Sequence, residues 1–283
     1  MGAYADVRGL FSRDYYFDGQ GEYVRVRDGS GSLSNTTTNI TQGAAYKGGC
    51  YFPDPSYRFG AKFDTYYKFC YGGIHRVNYV IENTLKMIPN AKTEESKKKL
   101  ETVIGEARLL RGMIYFRLIS MWGDVPYIDH VVYNQTEMDK IVRTSIAKIK
   151  DYIIEDFNYA FEKLPIKSEQ IGRASKPAAL AFKGKLELYW ACWNHFGWPE
   201  LDTFTPSEEE AKKAYKAAAD DFHAVINNYG LNLFRNGEPG EWGELGDANV
   251  LPNYFYLFLP TTGNVNTDGE IIFAFTHGGP GTG

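Results

Sequence analysis

The sequence predicts a mainly α-helical protein in which tetratricopeptide-like helical repeats pack with a loop-rich region that carries short strands. Between about residue 62 and residue 230, apolar residues recur at steps of three and four along five long stretches, as on one face of an α-helix. Small residues lie among large ones in the second and fourth stretches, which allows neighbouring helix axes to approach closely. Consecutive helices of this kind are typical of helical solenoids, although no strict repeat consensus is present.

Two long helices are predicted in the first half of the chain. In the first, apolar residues recur at helical spacing over residues 74–88, and Pro89–Asn90 ends the pattern. The second extends over residues 100–121 and ends at Gly123, which fits a left-handed residue directly after a helix.

Three further helices follow. The third extends over residues 146–164, after residues with capping chemistry at Thr144–Ser145. The fourth follows Ser175–Lys176–Pro177. Proline is favoured in the first turn of a helix, so Pro177 indicates the start of this one. The fifth begins after Ser207, and Gly230 ends it.

The flanking sequence predicts the domain organisation. Residues 1–60 are rich in glycine, serine and asparagine and show no helical period, so we expect a loop-rich part with a short strand at Tyr23–Val26. Residues 61–230 form the predicted helical region, and residues 231–283 begin a second loop-rich region. Within that last region, Glu270–Phe275 is predicted to be a strand.

Composition and charge exclude several classes of protein. The 31 basic and 35 acidic residues give a net charge of −4, and Lys97–Lys99 is the longest basic run, so nucleic acid is not an expected partner. No apolar stretch approaches the roughly 18 residues of a membrane-spanning helix. Cys50, Cys70 and Cys192 are odd in number and widely spaced, which excludes a disulfide scaffold. The first residues contain neither a basic nor an apolar signal-peptide region, so we expect no signal peptide within the chain.

No catalytic, cofactor or metal motif is found. The sequence contains no His-Glu-x-x-His, no Gly-x-Ser-x-Gly, no phosphate-binding loop and no G-x-G-x-x-G after a predicted strand. Asn264, Asn266 and Asp268 have the spacing of a calcium loop, but Phe275 stands where such a loop needs glutamate. We therefore expect no enzymatic activity, no cofactor and no metal.

Three blocks, in order along the chain, resemble the signature of the SusD/RagB family. The first is EARLLRGMIYFRL at residues 106–118, followed by WGDVP at residues 122–126. The second is GRASKPAA at residues 172–179, and the third is DGEIIF at residues 268–273. The first predicted helix, with Asn78, is also similar to the pattern of the family.

This resemblance implies a cell-surface glycan-binding lipoprotein of Bacteroidetes-type bacteria, lipid-anchored in the outer membrane and facing the extracellular side. Such proteins capture oligosaccharides and deliver them to a TonB-dependent SusC-like transporter. It also implies an upstream signal peptide and acylated cysteine and a longer loop-rich C-terminal half, so we expect this chain to be part of a longer protein. Glu106, Arg108, Arg111 and Asp124 of the motifs are expected to be structural.

Aromatic residues outside the helical stripes predict where a glycan would bind, since exposed rings stack on sugar C–H groups. The family places sugar contacts before the first helix and after the last. The predicted aromatic arc is Tyr51, Trp242 and Tyr254, with hydrogen bonds from Asn39, Asp54 or Asn253.

Two alternatives belong to other classes. A tetratricopeptide-type adaptor would bind protein segments in a concave helical groove and would not need the aromatic loops. A glycosidase would need two acidic side chains about 5 to 10 Å apart across a cleft.

Overall fold

The structure, a computed structural model, describes residues 2–11, 59–168, 170, 172–197, 204–233 and 270–274. These residues form seven α-helices and one two-stranded antiparallel sheet, which confirms the mainly α-helical class. The elements are α1 (Gly2–Phe11), α2 (Phe59–Met87), a 3-10 turn (Ile88–Asn90), α3 (Glu94–Trp122), β1 (Val125–Pro126), α4 (Gln135–Met138), β2 (Arg143–Thr144), α5 (Ile146–Lys163), α6 (Lys176–Phe196) and α7 (Glu208–Asn228).

The chain divides into two compact units, one up to Ile153 and the other from Ile154 onward, with the division inside α5. The predicted domain boundaries at residues 60 and 230 stay a prediction. No helix within the described ranges combines the length and apolar character needed to cross a membrane.

In the first unit, α1, α2 and α3 pack on one another. Val7 of α1, Ile74 of α2 and Ile114 of α3 are each no more than 1% exposed, so all three helices contribute to one core. A methyl group added to Gly73 would lie 3.0 Å from Ile114, which shows how closely α2 and α3 approach.

The helix α1 corrects the expectation that the first sixty residues contain no helix. Ala3 and Val7, four residues apart, are buried, and Asp6 forms an ion pair with Arg76 of α2 at 3.2 Å. Ala3, Val7, Leu10 and Phe11 have helical spacing in the sequence, but the pattern covers less than three turns and a glycine interrupts it. A helix this short needs tertiary contacts to be stable, and α1 packs against α2 and α3. Tyr23–Val26 lies outside the described residues.

The predicted end of α3 at Gly123 and the predicted starts of α6 and α7 are confirmed, whereas the capping predicted at the start of α5 is wrong. Thr93 caps α3 by accepting a hydrogen bond from the amide of Ser96, and Gly123 follows the helix with φ of 65°. Ser175 and Ser207 accept hydrogen bonds from amides in the first turns of α6 and α7. At the start of α5 the amide of Ile146 donates to Asp124 at 2.8 Å, so the capping side chain there comes from another segment and not from Thr144–Ser145.

In the second unit, α6 and α7 form an antiparallel pair. Lys183 pairs with Asp221 at 3.2 Å near one end, and Cys192 contacts Tyr215 at 3.8 Å nearer the other. Small residues allow this approach, since a methyl group added to Gly184 would lie 3.0 to 3.2 Å from three atoms of the Phe222 ring. Cys192 is a free thiol, as is the buried Cys70 of α2 in the first unit.

The strand predicted at Glu270–Phe275 is wrong over the residues that the structure describes. Residues 270–274 form a bend with no strand ladder. Phe273 contacts the ring of Phe182 of α6 edge to face at 6.5 Å. The apolar run therefore belongs to a bend that is anchored by the ring of Phe273. A run of apolar residues alone does not distinguish such a bend from a strand.

Substitution of Gly184 by alanine tests the close approach of α6 and α7. We expect Gly184→Ala to lower the free energy of unfolding by about 1 to 2 kcal/mol, because the new methyl group meets the Phe222 ring. The matched control is Gly72→Ala in α2, where no atom lies within 4 Å of the added methyl group. There the helix preference for alanine should raise stability by up to about 1 kcal/mol. Chemical denaturation measures both, and equal effects of the two substitutions would contradict this packing.

Candidate functional site: a cleft between α2 and the strap

A loop that returns on itself, residues 124–145, lies between α3 and α5, and we call it the strap. Its two ends pair as β1 and β2, with Val125 opposite Thr144 and Pro126 opposite Arg143. The short helix α4 lies within it, capped by the side chain of Asn134, which accepts from the amide of Glu137 at 2.9 Å. The pairing of its ends makes the strap a closed loop held at its base.

A buried polar network fixes the first half of the strap to α2 and α3. Asn78 of α2 is 1% exposed, and its amide group donates to the carbonyl oxygens of Ile128 and His130 at 2.9 and 3.0 Å. Arg111 of α3 is 4% exposed and donates to the side-chain oxygen of Asn78 at 2.9 Å. Arg111 also donates to the carbonyl oxygen of Asp129 at 3.1 Å. Three successive carbonyl groups of the strap thus find partners from two helices.

Two tyrosines add to this attachment. The hydroxyl of Tyr115 accepts from the amide of Ile128 at 2.6 Å and donates to its carbonyl oxygen at 3.1 Å. The hydroxyl of Tyr71 donates to the carbonyl oxygen of Pro126 at 2.7 Å. Burial raises the pKa of both phenols above the ordinary tyrosine value, so both stay protonated. The ring of Tyr127 lies between Tyr115 and Tyr152, at 4.8 and 4.3 Å.

A cleft of about 400 Å³ lies between α2 and the strap. This volume is within the range of about 300 to 1,000 Å³ that is typical of small-molecule sites. Aromatic and aliphatic side chains form most of its walls, among them Tyr67, Tyr71, Ile74, Ile128, Met138 and Ile141. Lys68, His75 and His130 also line it and supply its polar groups. The cleft is therefore suited to a small apolar or ring-shaped group.

The most polar part of this site surrounds His130. Its Nδ1 lies 2.8 Å from a carboxylate oxygen of Asp129, and its Nε2 lies 2.8 Å from one of Glu137. The hydrogen bond with Asp129, supported by Glu137, raises the pKa of His130 above the ordinary histidine value. Burial pushes the pKa of Asp129 upward, but the hydrogen bond with His130 outweighs it and the pKa is lowered.

No group of three histidine, cysteine, aspartate or glutamate side chains that could hold a metal ion is found in the part of the chain that the structure describes.

None of the predicted glycan contacts can be located in this structure. Tyr51, Trp242, Tyr254, Asn39, Asp54 and Asn253 all lie outside the described residues and stay predictions. The cleft and the role of Asn78 were not predicted from the sequence. The available signal was a polar residue between Val77 and Ile81 on an otherwise apolar helix face, and Arg111 beside Leu110 in α3 is a second such case.

The arrangement can be compared with known proteins. A SusD-like family model, described as "Starch-binding associating with outer membrane", matches residues 30–188, which is more than half of the chain. The chain belongs to this SusD-like family. The resemblance to the family seen in the motifs is thereby confirmed.

Individual relatives agree with this assignment. A SusD-like protein from Bacteroides ovatus is 32% identical over 170 residues, which are 59% of this chain and 28% of that protein. A crystal structure of a SusD-like carbohydrate-binding protein from Bacteroides fragilis is 25% identical, with a TM-score of 0.50 over 74% of this chain and 33% of that one. A second SusD-like structure from Bacteroides fragilis has a TM-score of 0.58 at 21% identity, over 97% of this chain and 44% of that one. The chain thus spans less than half the length of these relatives.

Removal of the Asn78 side chain tests the attachment of the strap. We expect Asn78→Ala to lower the free energy of unfolding by on the order of 3 kcal/mol, because a buried guanidinium and two carbonyl groups lose a partner. The control is Asn83→Ala on the same helix, whose side chain bonds only within α2, to the carbonyl oxygen of Tyr79. Its effect should stay within about 0.5 kcal/mol. Urea denaturation followed by circular dichroism measures both, and equal losses would contradict the role of Asn78.

Proposed function

We propose that the chain is part of a non-catalytic glycan-binding protein that captures oligosaccharides at the cell surface and delivers them to a TonB-dependent SusC-like transporter. The observation that carries the proposal is the family match, because the family is described as starch-binding and associated with the outer membrane. The relative from Bacteroides fragilis named as carbohydrate-binding, at 25% identity, supports the same ligand class. The proposed location is the outer membrane, through a lipid anchor, with the protein facing the extracellular side.

The positions of the motif residues support separate structural and glycan-binding parts of the chain. Arg111 and Asp124, from the first family block, bind the backbone of the strap and of α5. Glu106 of the same block is only 6% exposed. Side chains that bind the backbone or are buried in this way hold the structure together. The glycan contacts are therefore proposed to come from the aromatic residues outside the helices.

We assign the glycan site to the aromatic arc of Tyr51, Trp242 and Tyr254, with Asn39, Asp54 or Asn253 as hydrogen-bond partners. Aromatic rings give a flat surface for the C–H face of a sugar, and amide or carboxylate groups fix the orientation of its hydroxyl groups. The proposal specifies the class of ligand as an oligosaccharide and leaves its composition to the measurement.

Calorimetric titration against a panel of polysaccharides, with starch as the first member, tests the function. Trp242→Ala should weaken binding of the glycan that binds the wild-type protein by about tenfold, because stacking contributes roughly 0.5 to 1.5 kcal/mol per ring. Well-folded protein that binds no glycan of the panel would contradict the proposed function.

Tyr215→Ala serves as the control for that substitution. Tyr215 contacts Cys192 and His195 between α6 and α7, so its removal should lower stability and leave glycan affinity unchanged. An affinity that responds equally to Trp242→Ala and Tyr215→Ala would remove Trp242 from the site and leave the family assignment intact.

A further inference from the structure

The geometry around His130 requires a proton. Both ring nitrogens lie 2.8 Å from a carboxylate oxygen, one from Asp129 and the other from Glu137. An ionised carboxylate accepts hydrogen bonds and cannot donate them, so both nitrogens must carry hydrogen for both bonds to form. Only the imidazolium ion satisfies that condition. The neutral ring keeps one of the two bonds and turns a lone pair toward the other carboxylate.

The two halves of the strap depend on this ring to different degrees. The first half, up to His130, is held by Asn78, Arg111 and Tyr115, whose amide, guanidinium and phenol groups do not titrate near neutral pH. The second half, which contains α4, is linked to the first through the bond between His130 and Glu137. Glu82 of α2 also binds this half, because it accepts from the hydroxyl of Tyr133 at 2.7 Å and from the backbone of Val131.

We propose that His130 is a proton-dependent latch that holds residues 131–141 of the strap in place as one wall of the cleft. When the ring is protonated, it joins the two halves of the strap through Asp129 and Glu137. When the ring loses its proton and keeps its bond to Asp129, the bond to Glu137 is lost, so the cleft wall formed by Val132, Met138 and Ile141 loosens while the contacts with Glu82 remain. The proposal does not depend on the glycan site, because it concerns the strap alone.

Charged groups on the neighbouring elements set the pH at which the latch opens. Asp129 and Glu137 of the strap and Glu82 of α2, which binds Val131, favour the imidazolium, whereas Lys68 of α2 and Arg111 of α3 oppose it. The ring of His75 lines the same cleft. The two carboxylates are in direct contact with the ring, and the pKa of His130 is raised above the ordinary 6.5. The latch is therefore closed below pH 6.5 and opens as the pH rises through the raised pKa.

The effect of the latch is local. The side chain of His130 is 52% exposed, so solvent weakens its ion pairs and global stability should change little. Loss of one hydrogen bond changes a local opening equilibrium by roughly two- to tenfold. Suitable reporters are the amides of Met138, Asp139 and Ile141, which donate to main-chain carbonyl groups within the second half of the strap.

The test is an NMR titration of His130 together with solvent exchange of these reporter amides, corrected for intrinsic exchange, in the full chain. In the wild-type protein, reporter protection should fall by roughly two- to tenfold as the His130 signal titrates, at the same midpoint. In Glu137→Gln the side-chain amide can accept from or donate to the ring, so it can pair with either protonation state and the protection of the reporter amides should no longer depend on pH. The variant also lacks the negative charge of Glu137, so the midpoint of the His130 titration should fall.

The matched control is Asp139→Asn, which removes an exposed carboxylate of the same segment that accepts from Gln135 and does not contact His130. It should keep both the midpoint and the pH dependence of the wild-type protein. Reporter protection that does not change with pH in the wild-type protein, or a Glu137→Gln variant that titrates like the wild type, would overturn the proposal.

Discussion

The position of the strap in the first unit depends on one buried contact, in which Arg111 of α3 donates to Asn78 of α2 and both donate to the backbone of the strap. A buried guanidinium is costly unless its hydrogen-bond donors are satisfied, and here the partners include an amide oxygen and a main-chain carbonyl oxygen. Because the three carbonyl groups involved are consecutive, the contact fixes both the position and the direction of the strap. The placement of the β1–β2 pair, the cleft and His130 follows from it.

The first family block acts mainly through the backbone of other segments. Arg111 and Tyr115 bind main-chain groups of the strap, and Asp124 binds the first amide of α5. Each of these contacts requires a particular side chain at a particular position. A short motif that supplies those side chains therefore indicates how the segment between the helices is held. It carries no information on the ligand, which would be read by side chains outside this frame.

Five long helices could be predicted from the sequence because their apolar faces repeat over four or more turns and their ends carry local signals, such as Ser207 before α7. The four-residue helix α4 could not, because it is too short to show a period. The helix α1 was not predicted, since its ten residues make fewer than three turns and its stability comes from tertiary contacts with α2 and α3. Residues 270–274 were misassigned because an apolar run fits a strand as well as a bend anchored by Phe273.

The cleft shows a different limit. Asn78 and Arg111 are 33 residues apart in the sequence, and their hydrogen bond exists only after α2 and α3 have packed. Sequence patterns predicted the two helices and a structural role for Arg111, but they could not indicate which backbone groups the two polar side chains would meet. The aromatic arc stays a prediction for the same reason, because the sequence does not show which residues the fold brings close to Tyr51 or Trp242.

The most direct test of this account is a double-mutant cycle between Asn78→Ala and Arg111→Met, read as the free energy of unfolding. Since the two side chains share a hydrogen bond and neighbouring carbonyl groups, the account predicts a coupling energy of about 1 kcal/mol or more. The effects of the single substitutions would then not add. Effects that add to within about 0.5 kcal/mol in the double variant would show that the two residues act independently, and would contradict the central role of this contact.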